Sequence, residues 1–231
     1  MQRPSLAYRT IHTWNRNPAD EEAMGAAHAP IWRRMIDVSI HGSLRDSTIL
    51  DYGCNQGGFL RMLYDRHPFR AAAGIDIARE SVARAELLKG QRPIDYKVGH
   101  SAAALGSTFH FAFSHEVLYL LPDLAAHAAD IKAALRPGGA YIAAMGCHKD
   151  SAVWSRWRKL ISETSSIPIY DHSLDSVAKA FSEAGFTVGV RPLDLDAFMP
   201  VTVGSEYFPK VVDQLRYYSQ DKVLFRFVRT P

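Results

Sequence analysis

Asp51-Tyr52-Gly53-Cys54-Asn55-Gln56-Gly57-Gly58 is the stretch on which the reading of this 231-residue chain turns. It joins a short apolar run, 48–52, to a segment with Leu60, Leu63 and Tyr64 at helical spacing. A strand, a glycine loop and a helix therefore follow one another. Glycine in such a loop adopts positive φ and lets the backbone come close to a ligand. The helix N-terminus beyond it offers free N–H groups. The next apolar run, 71–77, carries Asp76, 19 residues after Gly57. A carboxylate at the end of a second strand accepts the hydrogens of two ribose hydroxyls.

The alternation continues outward. Residues 79–89 read as a helix stopped by Gly90 and Pro93, and 94–98 and 110–114 read as strands. A helix begins near Pro122-Asp123, shows one face through Leu124, Ile131 and Leu135, and ends at Arg136-Pro137-Gly138-Gly139. Strand 140–145 follows. Strand and helix thus alternate at least four times between 48 and 146, which implies parallel pairing through right-handed crossovers and a doubly wound α/β sheet. Ligands of such sheets lie beyond the carboxyl ends of the strands, and this nominates 51–57, 76–77, 99–102 and 114–119. Upstream, 19–41 is helical, with Pro30 expected to divide it into two short helices. Downstream the reading is helix 150–163, helix 173–184 capped by Ser173 and closed by Gly185, and strands 186–191 and 222–229. Between those strands lies a proline-punctuated loop with a short helix, 207–218.

From 48 to 146 the chain resembles the class I S-adenosylmethionine-dependent methyltransferases. The likeness rests on Asp51 to Gly57 against an acid-x-Gly-x-Gly-x-Gly motif, then on three further pieces in the family's order and spacing. These are Gly74-Ile75-Asp76-Ile77, Ser114-His115-Glu116-Val117-Leu118-Tyr119-Leu120-Leu121-Pro122, and Leu135-Arg136-Pro137-Gly138-Gly139-Ala140. The resemblance implies one methyltransferase domain over 1–231, built on a mostly parallel, seven-stranded, Rossmann-like sheet with helices on both faces and an antiparallel last strand, 222–229. Residues 1–45 would form an N-terminal cap, 46–146 the cofactor-binding core, and 147–231 the substrate-side elaboration and last strands. The implied cofactor is S-adenosylmethionine, leaving as S-adenosylhomocysteine.

By the same resemblance, Asp51 and the backbone of Gly53, Cys54, Asn55 and Gly57 hold the amino-acid part of the cofactor. Asp76 takes the ribose, Ile77 lies against adenine, and Gly99, His100, Ser101 and Ala102 flank that ring. His115 falls beside the transferring methyl or the cofactor's methionine part. Two positions depart from the family. Asn55 replaces the middle glycine; asparagine tolerates left-handed backbone better than other side chains, and its amide either crowds the cofactor or adds a hydrogen bond to it. His100 stands where the family often has an acid. A nicotinamide cofactor is the weaker alternative, because Gly53-Cys54-Asn55-Gln56-Gly57-Gly58 lacks the second glycine of the dinucleotide fingerprint.

Methyl transfer from a sulfonium is an in-line displacement, so the protein's task is alignment in a water-poor pocket, with a base where the acceptor must lose a proton. His115, His148 and His172 are the candidate catalytic residues. Glu116 reads as support for the turn after the fourth strand. Tyr8 and Trp14 are candidates to cover the cofactor. Trp154 and Trp157 share a helical face among three basic residues and read either as sheet packing or as a substrate platform. No metal is expected.

Composition limits the partners. Net charge is +3 and 22% of residues are charged, unlike a dedicated nucleic-acid binder. The expected acceptor is therefore a small molecule, with a methyltransferase of tRNA or another macromolecule, or a catalytically degenerate cofactor-binding protein, as the alternatives. Hydrophobic content of 47% supports a full core. Two cysteines make neither a disulfide framework nor a zinc site and fit a cytoplasmic protein. No run approaches 18 apolar residues, so no membrane span is expected. Residues 192–221 suit either a homodimer surface or a lid.

Overall fold

Seven strands form one sheet in the order β3-β2-β1-β4-β5-β7-β6. The computed structural model describes residues 11–195, 198–201 and 203–231. The strands are β1 (Thr48–Tyr52), β2 (Ala71–Asp76), β3 (Ile94–Val98), β4 (Phe109–His115), β5 (Leu135–Met145), β6 (Phe186–Pro192) and β7 (Val223–Arg229). β1 to β5 pair in parallel, and β7 runs antiparallel to both β5 and β6. This is the doubly wound, seven-stranded sheet expected from the sequence. Strand order reverses between β1 and β4, and the loops after those two strands open a crevice at their carboxyl ends.

The strands read as apolar runs because both faces are covered. On one face Leu50, Ala112, Tyr141, Phe225 and Phe227 pack under Ile131, Val177 and Phe181. Those residues come from α4 (Leu124–Ala134) and α6 (Leu174–Glu183). The Phe181 and Phe227 rings stack at 3.8 Å. On the other face their strand neighbours Ile49, Phe113, Ile142 and Leu224 meet Met35, Ile36, Leu60, Leu63 and Val82. That layer is α1 (Pro18–Ser39), α2 (Gly58–Arg66) and α3 (Arg79–Leu88). Adjacent strand residues thus feed opposite layers, as the two-residue pleat requires.

α1 is one continuous helix through Pro30, not the two short helices expected. Proline removes one hydrogen bond from a helix interior and crowds the preceding turn, at about 3 kcal/mol. Burial of Ile31, Met35 and Ile36 against the sheet just beyond it offsets that cost. α6 has the expected Ser173 cap, completed by Ser176 into a capping box, and the left-handed Gly185 just beyond its end. α5 (Trp154–Thr164) follows β5, and α7 (Val211–Arg216) continues into a π turn, Tyr217–Asp221. Among the described residues no helix is long and apolar enough to cross a membrane.

Candidate active site

The loop after β1 is built from left-handed residues: Gly53 at φ 78°, Asn55 at φ 45° and Gly57 at φ 72°. Gly57 is also fixed by packing, because a Cβ there would strike the Tyr96 hydroxyl, which donates to the Gly57 carbonyl at 2.9 Å. Asparagine at 55 keeps the turn. Its side-chain amide donates to Glu21 of α1, and its Oδ1 accepts from the Gln56 N–H at 2.6 Å. The amide therefore knits the loop to α1.

Every N–H from 53 to 57 is used within the protein. Gly53 and Cys54 donate to the Ile75 carbonyl, Asn55 to Asp76 Oδ2, Gln56 to its neighbour's side chain and Gly57 to the Cys54 carbonyl. The loop's own N–H groups are thus satisfied within the protein. Free donors would suit an anion; a loop without them suits a cation.

Asp51, at the end of β1, is only 4% exposed and has no hydrogen-bond partner among the described residues. Burial, with Asp76 beside it, pushes its pKa up to about 8. A buried carboxyl so placed calls for a cationic partner. Asp76 accepts from the N–H groups of Asn55 and Ala78, each at 2.8 Å. Its pKa is raised because burial, joined by nearby Glu21, outweighs its backbone hydrogen bonds. Each oxygen keeps a lone pair for a hydroxyl.

These groups line one end of a cavity of about 1580 Å³, which runs from Asp76, Ile77, Gly99, His100 and Ser101 to His28, Trp32, His115, Glu116 and Lys222. Ser101 is held by Asp130 Oδ1 at 2.5 Å. Ala102 is fully buried and does not line the cavity. A strap, residues 11–17, crosses the mouth. The Ile11 and His12 carbonyls accept from Arg79 and Glu80 at the start of α3, Arg16 N–H donates to Thr164, and the Trp14 carbonyl accepts from Ser166. Trp14 lines the cavity and also packs against the core, and Tyr8 lies outside the described residues.

At the far end, Glu116 sits in left-handed backbone at φ 55°. That unusual conformation directs its carboxylate onto the Gly146 and Cys147 N–H groups at 2.8 and 3.2 Å. Lys222, 2% exposed, donates to Glu116 Oε1 at 2.5 Å. Val223 pairs with Met145, so β7 delivers Lys222 to the same sheet edge that carries His115. Burial opposes the Glu116 charge, but Lys222 and the Cys147 contacts outweigh it and hold the pKa low. His115 Nδ1 accepts from the Trp32 indole N–H at 3.2 Å. Burial first, then Lys222 and His28, hold its pKa well below the ordinary value. His28 packs edge-on against it at 4.4 Å, with its own pKa lowered to about 4, chiefly by burial.

The three candidate histidines part company here. His148 is 2% exposed, contacts the Asp221 carbonyl at 2.6 Å and does not line the cavity. His172 contacts the Leu121 carbonyl at 2.8 Å and also stands outside it. Of the three, only His115 lines the cavity. Trp154 is core, whereas Trp157 turns to the cavity and packs on Tyr217 at 4.6 Å. Glu21, His28, Trp32, Asp130 and Lys222 lie outside the sequence reading. The i, i+4 spacing of His28 and Trp32, and a lone lysine opening an apolar strand, were their signals. Among the described residues no group of three or more His, Cys, Asp or Glu is arranged to hold a metal.

A methyltransferase-domain family profile matches residues 21–189. The chain belongs to the methyltransferase-domain family. Its sheet is that of the class I S-adenosylmethionine-dependent enzymes. A chain in the complex between the Haloferax volcanii Trm112 methyltransferase activator and a methyltransferase shares this fold at TM-score 0.76 and 20% identity, over 93% of this chain and 95% of that one. Geranyl diphosphate C-methyltransferase from Streptomyces coelicolor, solved with Mg2+, geranyl diphosphate and S-adenosylhomocysteine, gives 0.66 at 16% identity over 98% and 92%. An S-adenosylmethionine-dependent methyltransferase from Mesorhizobium loti gives 0.61 at 20% over 89% and 99%. No curated protein sequence matches the chain. Set on this methyltransferase, the family motif falls on the Asp51–Gly57 loop and Asp76.

Proposed function

We propose that the protein methylates a small molecule, with S-adenosylmethionine as donor and S-adenosylhomocysteine as by-product. The observation that carries the cofactor is the pairing of an unpartnered, buried Asp51 with a loop that has no N–H to spare from 53 to 57. The wider lining agrees: among the described residues, Asp20, Glu21, Asp51, Asp76, Glu116, Asp123 and Asp130 face only Arg61 and Lys222 as strongly basic partners. Such a field favours an ammonium and a sulfonium and opposes the pyrophosphate of a dinucleotide.

When bound, S-adenosylmethionine supplies an electrophilic methyl group on a sulfonium. Asp51 would receive the ammonium, Asp76 the ribose hydroxyls, and Ile77, His100 and Ser101 would border the base. The protein's part in the reaction is to orient the acceptor and exclude water, a task that suits the strap across the mouth and α1 and Trp157 at the cavity's far end. His115 is fitted to donate a hydrogen bond rather than to take a proton. An indole N–H only donates, so the neutral imidazole carries its hydrogen on Nε2. The enclosure of this end by Trp32, Trp157 and Tyr217 supports a small acceptor.

Calorimetric titration with S-adenosylmethionine, S-adenosylhomocysteine and NADH tests the reading. Micromolar binding of the two sulfur ligands, none of NADH, and loss of binding in Asp76→Ala are expected. Failure of both sulfur ligands to bind would overturn it.

A further inference from the structure

The far end of the cavity holds hydrogen-bond donors without acceptors. Lys222 Nζ has three hydrogens and, among the described residues, one hydrogen-bond acceptor, Glu116 Oε1. Its other contact is the Tyr217 ring, 5.7 Å away. His115 Nε2 is buried and has no partner, and the Trp32 contact at Nδ1 makes it the protonated nitrogen. Glu116, by contrast, is well supplied. Its two oxygens take the Gly146 and Cys147 N–H groups as well as the ammonium, with the Tyr217 hydroxyl at 3.5 Å. Its charge is thus drawn toward the β5 end, while the ammonium keeps hydrogens to spare. The surrounding rings are uncharged: burial and Lys222 suppress protonation of His28 and His115, and burial keeps the Tyr217 and Tyr218 hydroxyls protonated.

Resting on the methyltransferase reading above, we infer that Lys222 and His115 form an oxygen-recognition site. It selects acceptors that carry a carboxylate, phenolate or phosphate oxygen on a flat apolar body. A buried ammonium with one acceptor gains most from an anionic oxygen, which a charge-assisted hydrogen bond rewards about twice as well as a neutral one. The body is specified by the walls. Trp157 and Tyr217 meet at 4.6 Å and Phe208 and Tyr217 at 5.4 Å beside the pair, a surface that ring-shaped or flat apolar groups cover well. Lys222 and His115 are here specificity-determining residues; neither is assigned a proton-transfer step.

The experiment uses the full chain saturated with S-adenosylhomocysteine and four probes: benzoate, phenyl phosphate, benzamide and benzylammonium. Calorimetry is expected to show benzoate or phenyl phosphate binding at least tenfold more tightly than benzamide, and benzylammonium weakest. Which anion leads separates carboxylate from phosphate recognition. The preference should vanish in the double variant Glu116→Gln/Lys222→Met, which removes both buried charges together and so leaves neither stranded. Retained S-adenosylhomocysteine binding shows that this variant is folded. Equal or reversed preference in the wild type, no binding of any probe, or an anion preference that survives in the folded double variant would each overturn the inference. Loss of S-adenosylhomocysteine binding by the wild type would instead strike the cofactor reading, so the two failures are distinguishable.

Discussion

The side-chain amide of Asn55 donates to the carboxylate of Glu21, 34 residues earlier. The residue that breaks the family's glycine pattern is therefore the one that fastens α1 to the cofactor loop. Glu21 is 2% exposed and has, among the described residues, one other donor, the Asn15 N–H at 2.8 Å. Asn55→Gly keeps the left-handed turn but strips this buried carboxylate of a donor, at about 1–3 kcal/mol. The expected result is a lowered urea midpoint and several-fold weaker S-adenosylhomocysteine binding. A variant as stable and as tight as wild type would show that the tie carries no weight.

Asp51→Asn separates stability from binding. The folded-state pKa of Asp51, about 8, lies above its ordinary 3.8. The folded chain holds a proton that the unfolded chain has lost, so stability falls as pH rises from about 4 to about 8. Asparagine removes this penalty. The variant's Tm should exceed that of wild type at pH 8, with the gap closing toward pH 4, while cofactor affinity falls by about 2–5 kcal/mol through loss of the charge. A lower Tm at pH 8 would contradict the assignment.

Wild-type binding should carry the same signature. Between pH 6 and 8 the ligand's ammonium selects the ionised carboxylate, so affinity for S-adenosylhomocysteine rises with pH and binding at pH 7 releases protons. Titrations in buffers of different ionisation enthalpy count them. A flat profile would mean that Asp51 is already ionised in the free protein.

The Trp32 indole fixes the His115 tautomer. Nitrogen-detected NMR of histidine-labelled protein should show hydrogen on Nε2 of His115. In Trp32→Phe a tautomer mixture should replace it. A wild-type ring protonated at Nδ1 would exclude the indole as donor to that atom.

His148 belongs to the scaffold. Removing a buried ring that meets the Asp221 carbonyl at 2.6 Å should cost His148→Ala about 1–3 kcal/mol in unfolding free energy. Its affinity for S-adenosylhomocysteine should stay within twofold of wild type. A folded variant that loses the ligand would place His148 in the binding machinery after all.

What the sequence disclosed follows the range of the interactions involved. The strand–loop–helix at 48–66 and the acid ending β2 are local patterns, and the resemblance they carried led to the sheet and the Asp51 and Asp76 positions. Pro30 misled because its cost is local, whereas the burial of Met35 and Ile36 that offsets it is set by tertiary packing. At the far end of the cavity His115 and Glu116 were named but their partners were missed, for the same reason. Lys222 meets Glu116 across 106 residues, and Trp32 meets His115 across 83. The local signals, the His28–Trp32 spacing and a lysine opening an apolar strand, mark the residues but not which distant partner each meets. Histidines 148 and 172 showed the converse: placed near the rim by sequence, each turned to a backbone carbonyl and does not line the cavity.

The cavity is drawn from two separable stretches of chain. Residues 51–57, 76–77 and 99–101 furnish one end, while α1, Trp157 and the 207–222 segment furnish most of the other. Change in the second set can retarget the protein to new molecules without disturbing the first. The inheritance is not wholly free, however: Asn55 with Glu21 joins one end to the other, while His115 with Trp32 and Glu116 with Lys222 tie the residues at the end of β4 into the second set. Divergent descendants of this chain should therefore alter those couples together, or leave both members alone.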